Sequence, residues 1–236
     1  MFGNDVITSA RFIVFFLKPE ASDVFNMKPQ PLKLLYLQKK QMRKFVVFAI
    51  VLAWFGCGTN HNPRVLISTE AGDIEAEIFL DKAPVTAANF LKYVDSARYN
   101  NGSACFYRVV RPDNQPGKKV KIEVIQGGFY EDSLVTLYQF APIRHETTKE
   151  TGILHTDGVL SMARMEPGTA SSEFFICVGD QPELDFAGKR NPDMQGFAAF
   201  GKVTKGMDVV RKVQKLKDKE QYLVKPVKIM RVSRIN

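Results

Sequence analysis

The sequence predicts a mostly β domain that closes into a barrel with helical caps. Many short runs rich in β-branched and aromatic residues lie between turn residues, and two longer stretches repeat apolar residues at helical spacing. The chain has 236 residues, and about 180 of them suit one such domain. Many short strands with a few helices are typical of a closed barrel.

The domain is expected to begin near Arg64 with a hairpin. Residues 65–69 and 74–79 are β-rich and are joined by a turn that contains Gly72. The second run alternates apolar and polar residues. Pro84 follows at a favourable first position for a helix. An apolar stripe at helical spacing then predicts that helix, formed by Ala87, Phe90, Leu91 and Val94.

The rest of the body predicts further strands and one more helix. The strands are expected at residues 106–110, 120–126, 158–163, 173–178, 197–203 and 228–235. Gly127 and Gly128 are expected to stop the second of these. The second helix is indicated by the stripe of Val209, Val210, Val213 and Leu216.

Charge is unevenly distributed along the chain. The formal net charge is +5 over residues 1–56, −5 over residues 57–201 and +8 over residues 202–236. A basic tail of this kind could touch phosphate, but it lacks interleaved aromatic residues and alternates with valines. We therefore interpret the tail as the solvated face of a helix and a strand, and we expect no nucleic-acid partner.

Residues 42–57 have the parts of a bacterial export signal. Met42-Arg43-Lys44 is followed by an uncharged stretch and then by Cys57. A stretch of about twelve residues spans about 18 Å as a helix, which is short of a bilayer core of about 30 Å. The segment resembles a lipoprotein signal, which implies lipidation of Cys57; an uncleaved signal anchor is the alternative. Either predicts attachment to the membrane of the cell envelope, facing the periplasm; a protein free in the periplasm is the remaining alternative.

The segments around this signal are not expected to fold. Residues 1–41 are interpreted as an upstream or disordered extension, because Met42 begins a self-sufficient signal. Residues 58–63 are polar and are expected to be a linker. The folded domain is then predicted to span residues 64–236.

Several classes of chemistry are disfavoured by the sequence. It contains no GxSxG, HExxH, Walker or GxGxxG motif, and its cysteines form no CxxC pair. Metal and nucleotide chemistry are therefore not expected. We interpret His155, Cys105 and Cys177 as structural residues.

Five short segments carry the most specific pattern. They are Phe106-Tyr107-Arg108, Gln126-Gly127-Gly128, Leu160-Ser161-Met162-Ala163-Arg164, Ser172-Glu173-Phe174-Phe175-Ile176 and Phe200-Gly201-Lys202-Val203. In this order they closely resemble the cyclophilins, and the resemblance runs from about residue 64 to residue 235. It implies an eight-stranded antiparallel β-barrel capped by two α-helices, with a shallow groove for a Xaa-Pro segment.

The resemblance also implies an activity and a site. The activity is peptidyl-prolyl cis-trans isomerisation without a metal or cofactor, and the catalytic arginine of the family falls on Arg108. Substrate-binding positions fall on Gln126, Ala163, Arg164, Phe175, Leu184 and Phe197. An arginine suits this reaction because it stays protonated and can donate to the prolyl nitrogen during rotation.

The groove departs from the family pattern at three positions. Glu173 stands where many relatives have glutamine, and Arg164 stands where eukaryotic members have asparagine. Glu183 replaces the tryptophan with which the best-known members contact cyclosporin, which predicts weak cyclosporin binding. The loops at residues 111–119 and 186–195 are longer than usual and could narrow the groove or dock a partner.

Three functions follow as hypotheses, of which an envelope scaffold with an incidental cyclophilin fold ranks lowest. The first is a monomeric isomerase that assists the folding of exported proteins, in which slow Xaa-Pro steps limit maturation. The second is a chaperone module that grips proline-containing segments with little turnover.

Overall fold

The computed structural model describes residues 62–100 and 102–235. The predicted extension at residues 1–41, the signal at residues 42–57 with Cys57, and most of the linker at residues 58–63 lie outside the described residues. Among the helices that are described, none has the length and apolar character needed to cross a bilayer.

The described part of the chain contains nine strands, four α-helices and two short 3-10 helices, Pro112–Asn114 and Pro182–Leu184. The strands are β1 (Arg64–Thr69), β2 (Gly72–Ile78), β3 (Ala104–Val110), β4 (Val124–Phe129), β5 (Val159–Met162), β6 (Phe174–Cys177), β7 (Ala198–Lys205), β8 (Asp218–Lys219) and β9 (Tyr222–Ile235). The helices are α1 (Pro84–Asp95), α2 (Asp132–Tyr138), α3 (Thr148–Thr151) and α4 (Met207–Gln214).

Eight of the strands form a closed antiparallel barrel. Their order is β1-β2-β7-β5-β6-β4-β3-β9, and β9 pairs back onto β1 from Arg64 opposite Ile235 onward. Strand β8 lies outside the barrel and pairs with β9 alone. The predicted eight-stranded barrel is confirmed, and closure leaves no exposed edge between its strands.

The barrel interior is filled by aromatic and branched side chains. Phe90 of α1 packs on Phe174 and Phe200, with ring centroids 5.4 Å and 5.0 Å away. Val210 and Val213 of α4 belong to the same buried cluster. The two predicted helical stripes therefore face the core, while α2 and α3 are helices that the sequence reading did not predict.

Helix α1 is capped by a residue far away in the sequence. Its preceding residue, Ala83, offers no capping side chain. Glu146, which is 2% exposed, accepts hydrogen bonds from the backbone N–H groups of Val85 and Thr86 and from the hydroxyl of Thr86. A carboxylate at this end also complements the helix dipole.

The sequence predicted that the glycine pair of β4 would end the strand, and this prediction is wrong. Strand β4 begins at Val124, later than predicted, and continues through Gly127 and Gly128 to Phe129. A β-carbon at Gly127 would lie 2.8 Å from the Phe106 ring on β3. These glycines therefore allow close packing inside the sheet. Strand β9 likewise begins at Tyr222 instead of the expected residue 228.

Candidate functional site

Three adjacent strands place the central side chains of the site in one row. In the register of the sheet, Arg108 on β3 lies opposite Gln126 on β4, and Gln126 lies opposite Phe175 on β6. Directly opposed residues in a sheet project from the same face. Residues that are far apart in the sequence are thus brought together on one face of the barrel.

This row opens into a cavity of about 510 Å³. All seven positions predicted to form the catalytic and substrate-binding site line this cavity: Arg108, Gln126, Ala163, Arg164, Phe175, Leu184 and Phe197. Its volume falls in the range of small-molecule and peptide subsites.

One half of the cavity is apolar. Its floor is a small buried cluster that is separate from the main core and contains Val110, Ile122, Val124, Phe175, Cys177 and Leu184. Phe175 is 4% exposed and meets Phe197 edge to face, with ring centroids 5.4 Å apart. Ala163 and Phe197 pack against this cluster from the side. The result is an apolar recess suited to a compact ring such as pyrrolidine.

The other half of the cavity is polar and centres on Arg108. Its Nη1 donates to Oε1 of Gln126 at 2.9 Å. Its Nε and Nη2 both donate to Oε1 of Gln221, at 3.2 Å and 2.6 Å. The guanidinium is therefore held between two neutral amides, with no carboxylate among its hydrogen-bond partners in the described chain.

A second hydrogen-bonded layer lies behind Gln126. Nε2 of Gln126 donates to the hydroxyl of Tyr107 at 2.8 Å. Oε1 of Glu173 accepts from the backbone N–H of Phe129 at 2.7 Å. Burial raises the pKa of Glu173 to about 7, although its hydrogen bonds from Tyr107, Phe129 and Ser172 act in the opposite direction.

Arg164 uses its hydrogen-bond donors for contacts within the protein. Its side chain is fully buried and forms a two-pronged ion pair with Asp193, with N–O distances of 2.8 Å and 2.9 Å. Its remaining N–H groups donate to the carbonyls of Gly196 and Met165. Because a guanidinium has five donors, none remains for a hydrogen bond to substrate in this arrangement. Arg164 therefore supports the groove by holding the loop at residues 186–195.

The two long loops touch each other beside the apolar recess. Arg190 donates from Nη1 to Oε1 of Gln115 at 2.9 Å and to the carbonyl of Val120 at 2.8 Å. Arg190 also lines the cavity. Of the two roles that the sequence left open for these loops, narrowing the groove is the one that this contact supports.

Beneath the recess lies a hydrogen-bonded chain of Asp185, His155 and Ser161. Nδ1 of His155 is 2.7 Å from Oδ1 of Asp185, and Nε2 is 2.9 Å from Oγ of Ser161. Ser161 is completely buried, so no substrate can reach its hydroxyl. His155 also stacks under Phe175 at 6.0 Å between ring centroids. The chain thus supports the floor of the recess, in agreement with the structural role expected for His155.

The two described cysteines are free and buried. Burial raises the pKa of Cys105 to about 12, and Glu173 adds to this effect. Burial likewise raises the pKa of Cys177. A thiol with a raised pKa is a poor nucleophile, which agrees with the structural role expected for both. Within residues 62–100 and 102–235, no cluster of side chains could hold a metal ion.

Sequence reasoning missed two groups in the site. Gln221 approaches Arg108 from the turn between β8 and β9, and nothing in the sequence motif points to it. Tyr107 was noted only as a neighbour of Arg108, although its hydroxyl joins Gln126 to Glu173.

An eight-stranded antiparallel barrel with an arginine beside an apolar recess on its outer face defines the cyclophilin class of protein. The chain belongs to the cyclophilin-type peptidyl-prolyl cis-trans isomerase family, whose model, described as "Cyclophilin type peptidyl-prolyl cis-trans isomerase/CLD", matches residues 64–234.

Individual proteins show the same relationship. The chain is 39% identical over 153 residues to a peptidyl-prolyl cis-trans isomerase of Acinetobacter baylyi, covering 64% of this chain and 72% of that protein. It is 36% identical over 151 residues to peptidyl-prolyl cis-trans isomerase B of Escherichia coli, covering 64% and 83%. The fold matches a crystal structure of a Cryptosporidium parvum cyclophilin with a TM-score of 0.58 at 21% identity, covering 74% of this chain and 98% of that one.

Proposed function

We propose that this protein accelerates cis-trans isomerisation of Xaa-Pro bonds in polypeptides. The observation that carries the proposal is the position of Arg108. Its guanidinium is held by Gln126 and lines the same cavity as Phe175, at the polar edge of an apolar recess. A proline ring in that recess lies beside a fixed cationic donor.

The chemistry of the bond explains why one donor suffices. Resonance holds the prolyl peptide bond planar, with a barrier of about 18–20 kcal/mol. At the perpendicular geometry the lone pair is localised on the prolyl nitrogen, which then becomes a hydrogen-bond acceptor. A donor aimed at that nitrogen stabilises the transition state more than either planar state.

The apolar recess supplies the complementary half of catalysis. Phe175, Leu184 and Phe197 surround the space for the ring while the preceding carbonyl rotates. An apolar environment disfavours the charge-separated resonance form of the amide, which weakens the partial double bond. No nucleophile is needed, because no covalent bond to the substrate forms.

The test is the isomerisation rate of a proline-containing peptide with wild-type protein and with Arg108→Ala at equal concentration. We expect the wild type to accelerate isomerisation and the variant to lose at least a hundredfold of kcat/KM, since removal of a single donor to a developing charge costs about that much. A folded wild type without acceleration contradicts the proposal. Retained peptide binding in that case favours the chaperone module.

We further propose that the protein acts on exported polypeptides at the bacterial cell envelope, attached through Cys57. The support is the sequence of residues 42–57, with its basic start, uncharged stretch and terminal cysteine. Metabolic labelling with a radioactive fatty acid tests this. Label in the wild type that is absent from Cys57→Ser supports it, whereas an unlabelled wild type contradicts lipidation.

A further inference from the structure

The hydrogen bonds of Arg108 leave a specific pair of donors free. A guanidinium carries five N–H groups. Oε1 of Gln221 accepts one hydrogen bond from Nε and one from Nη2, and Oε1 of Gln126 accepts one from Nη1. Within the described chain, one N–H on each terminal nitrogen is then left for a substrate. Gln221 accounts for two of the three bonds that fix this orientation.

Gln221 occupies a strained turn. Strands β8 and β9 pair with Asp218 opposite Leu223 and Lys219 opposite Tyr222, so their connection is the two-residue loop Glu220-Gln221. Both loop residues have positive φ angles, 53° and 75°. Hairpin turns with two positive φ angles strongly prefer Asn-Gly, and residues with long side chains are strained there.

Other contacts hold Gln221 in this conformation. Its backbone N–H donates to Oδ2 of Asp218 at 3.0 Å, and its carbonyl accepts from the N–H of Val109 at 2.8 Å. Its side-chain Nε2 donates to the carbonyl of Asn114 at 3.1 Å. Arg111 in turn is ion-paired with Asp218. The amide of Gln221 is thereby fixed with its oxygen toward Arg108, and the start of the loop at residues 111–119 is part of that support.

We propose that Gln221 is a positioning residue, which orients the guanidinium of Arg108 so that its free N–H groups face the bound Xaa-Pro bond. This inference rests on the proposed isomerase function. A strained backbone that serves to aim one side-chain oxygen is a common arrangement at functional sites. The competing explanation is that Gln221 only ties the β8–β9 hairpin to the barrel.

Two substitutions separate these explanations, because both remove the amide but only one of them relieves the backbone strain. Gln221→Gly removes the amide and relieves the positive φ angle, so we expect a melting temperature no lower than that of the wild type. Gln221→Met keeps the length and the strain but lacks the acceptor, so we expect a lower melting temperature. Both variants should lose about tenfold in kcat/KM, because a guanidinium that is no longer held in one orientation stabilises the transition state less.

The loss should fall on kcat. Peptide affinity depends mainly on the apolar recess, so exchange spectroscopy by NMR should find less than a twofold change in the dissociation constant. Glu220→Gly is the matched control, because Glu220 shares the strained turn but is exposed, and its side chain has no hydrogen bond or ion pair in the described chain. It should raise the melting temperature and leave kcat/KM unchanged. A Gln221→Gly variant within twofold of wild-type kcat/KM overturns the proposal.

A direct structural measurement keeps this result separate from the proposed function. The Nε–H signal of Arg108 should exchange slowly with water in the wild type and faster in both Gln221 variants. Unchanged exchange contradicts the orienting contact even if the protein is inactive. Normal activity in the Gln221 variants together with inactive Arg108→Ala overturns the positioning role alone and leaves the isomerase function intact.

Discussion

Tyr107 donates its phenolic hydrogen to Oε2 of Glu173 at 2.5 Å, and the same hydroxyl accepts from Gln126. Through this contact, a carboxylate that the family pattern does not require is joined to the amide that holds Arg108. The pair lies behind the groove, where burial raises the pKa of Glu173 to about 7. The protonation state of Glu173 therefore changes near neutral pH, one contact away from Gln126.

This raised pKa makes stability depend on pH. Because the pKa of Glu173 is about 7 in the folded protein and 4.5 in its ordinary state, the folded chain binds a proton more tightly than the unfolded chain. The stability that this tighter proton binding contributes is fully present below about pH 4.5 and is lost as the pH rises through about 7. We expect the free energy of unfolding of the wild type to fall by up to about 3 kcal/mol relative to Glu173→Gln across this window.

Denaturant unfolding from pH 4 to pH 8 measures this difference. The groups that interact electrostatically with Glu173 do not titrate in that window, because burial raises the pKa of Cys105 to about 12 and raises that of Tyr107. Parallel stability curves for the wild type and Glu173→Gln would contradict the assignment.

Phe174 and Phe175 are neighbours on β6 with opposite environments, which provides a matched pair. Phe174 is part of the main core, whereas Phe175 floors the recess. We expect Phe175→Leu to lower kcat/KM several-fold with a stability change below about 1.5 kcal/mol. Phe174→Leu should destabilise by about 1–3 kcal/mol and leave the kcat/KM of the folded fraction nearly unchanged. Peptide kinetics with thermal unfolding test both, and equal kinetic losses would count against the recess.

Position 128 requires glycine, because the carboxylate of Glu173 occupies the space that a side chain would need. A β-carbon there would lie 2.3 Å from Oε1 of Glu173, and its φ of 143° is one that side chains rarely adopt. We expect Gly128→Ala to destabilise the protein by about 2–4 kcal/mol. The combined Gly128→Ala and Glu173→Ala variant should recover part of that loss, because the two sites share one contact. Strictly additive unfolding free energies would show that the clash is absorbed elsewhere.

Glu146 is expected to stabilise the fold without affecting the site. Its two carboxylate oxygens accept three hydrogen bonds at the start of α1. Glu146→Gln should cost about 1–2 kcal/mol of unfolding free energy. The control Glu150→Gln removes an exposed ion pair with Arg144 and should cost less than about 0.5 kcal/mol. Urea denaturation compares the two, and equal effects would contradict the capping role.

The sequence predicted those parts of the molecule that local patterns encode. Alternation in residues 74–79 and the stripe from Ala87 to Val94 predicted β2 and α1 because hydrophobic periodicity reflects which face is buried. The motifs predicted Arg108, Gln126 and Phe175 as site residues, because they resemble those of the cyclophilins. The signal segment ending in Cys57 lies outside the described residues and stays a prediction.

What the sequence did not predict depends on contacts between distant residues. Gly127 and Gly128 were expected to end a strand, since glycine is a common breaker, but Phe106 and Glu173 occupy the space of their missing side chains. The role of Gln221 depends on a strained turn more than one hundred residues after Arg108, and no local pattern marks it. The full use of the Arg164 donors likewise requires the position of Asp193.

The pairing of β1 with β9 sets an order of events during synthesis. Strand β1, the first of the domain, pairs on one side with β2 and on the other side with β9, the last strand, with Arg64 opposite Ile235. The barrel therefore cannot close until nearly the whole chain has left the ribosome, and contacts of such long sequence separation form slowly. The chain thus stays accessible to partners that bind unfolded polypeptides for nearly the whole period of translation.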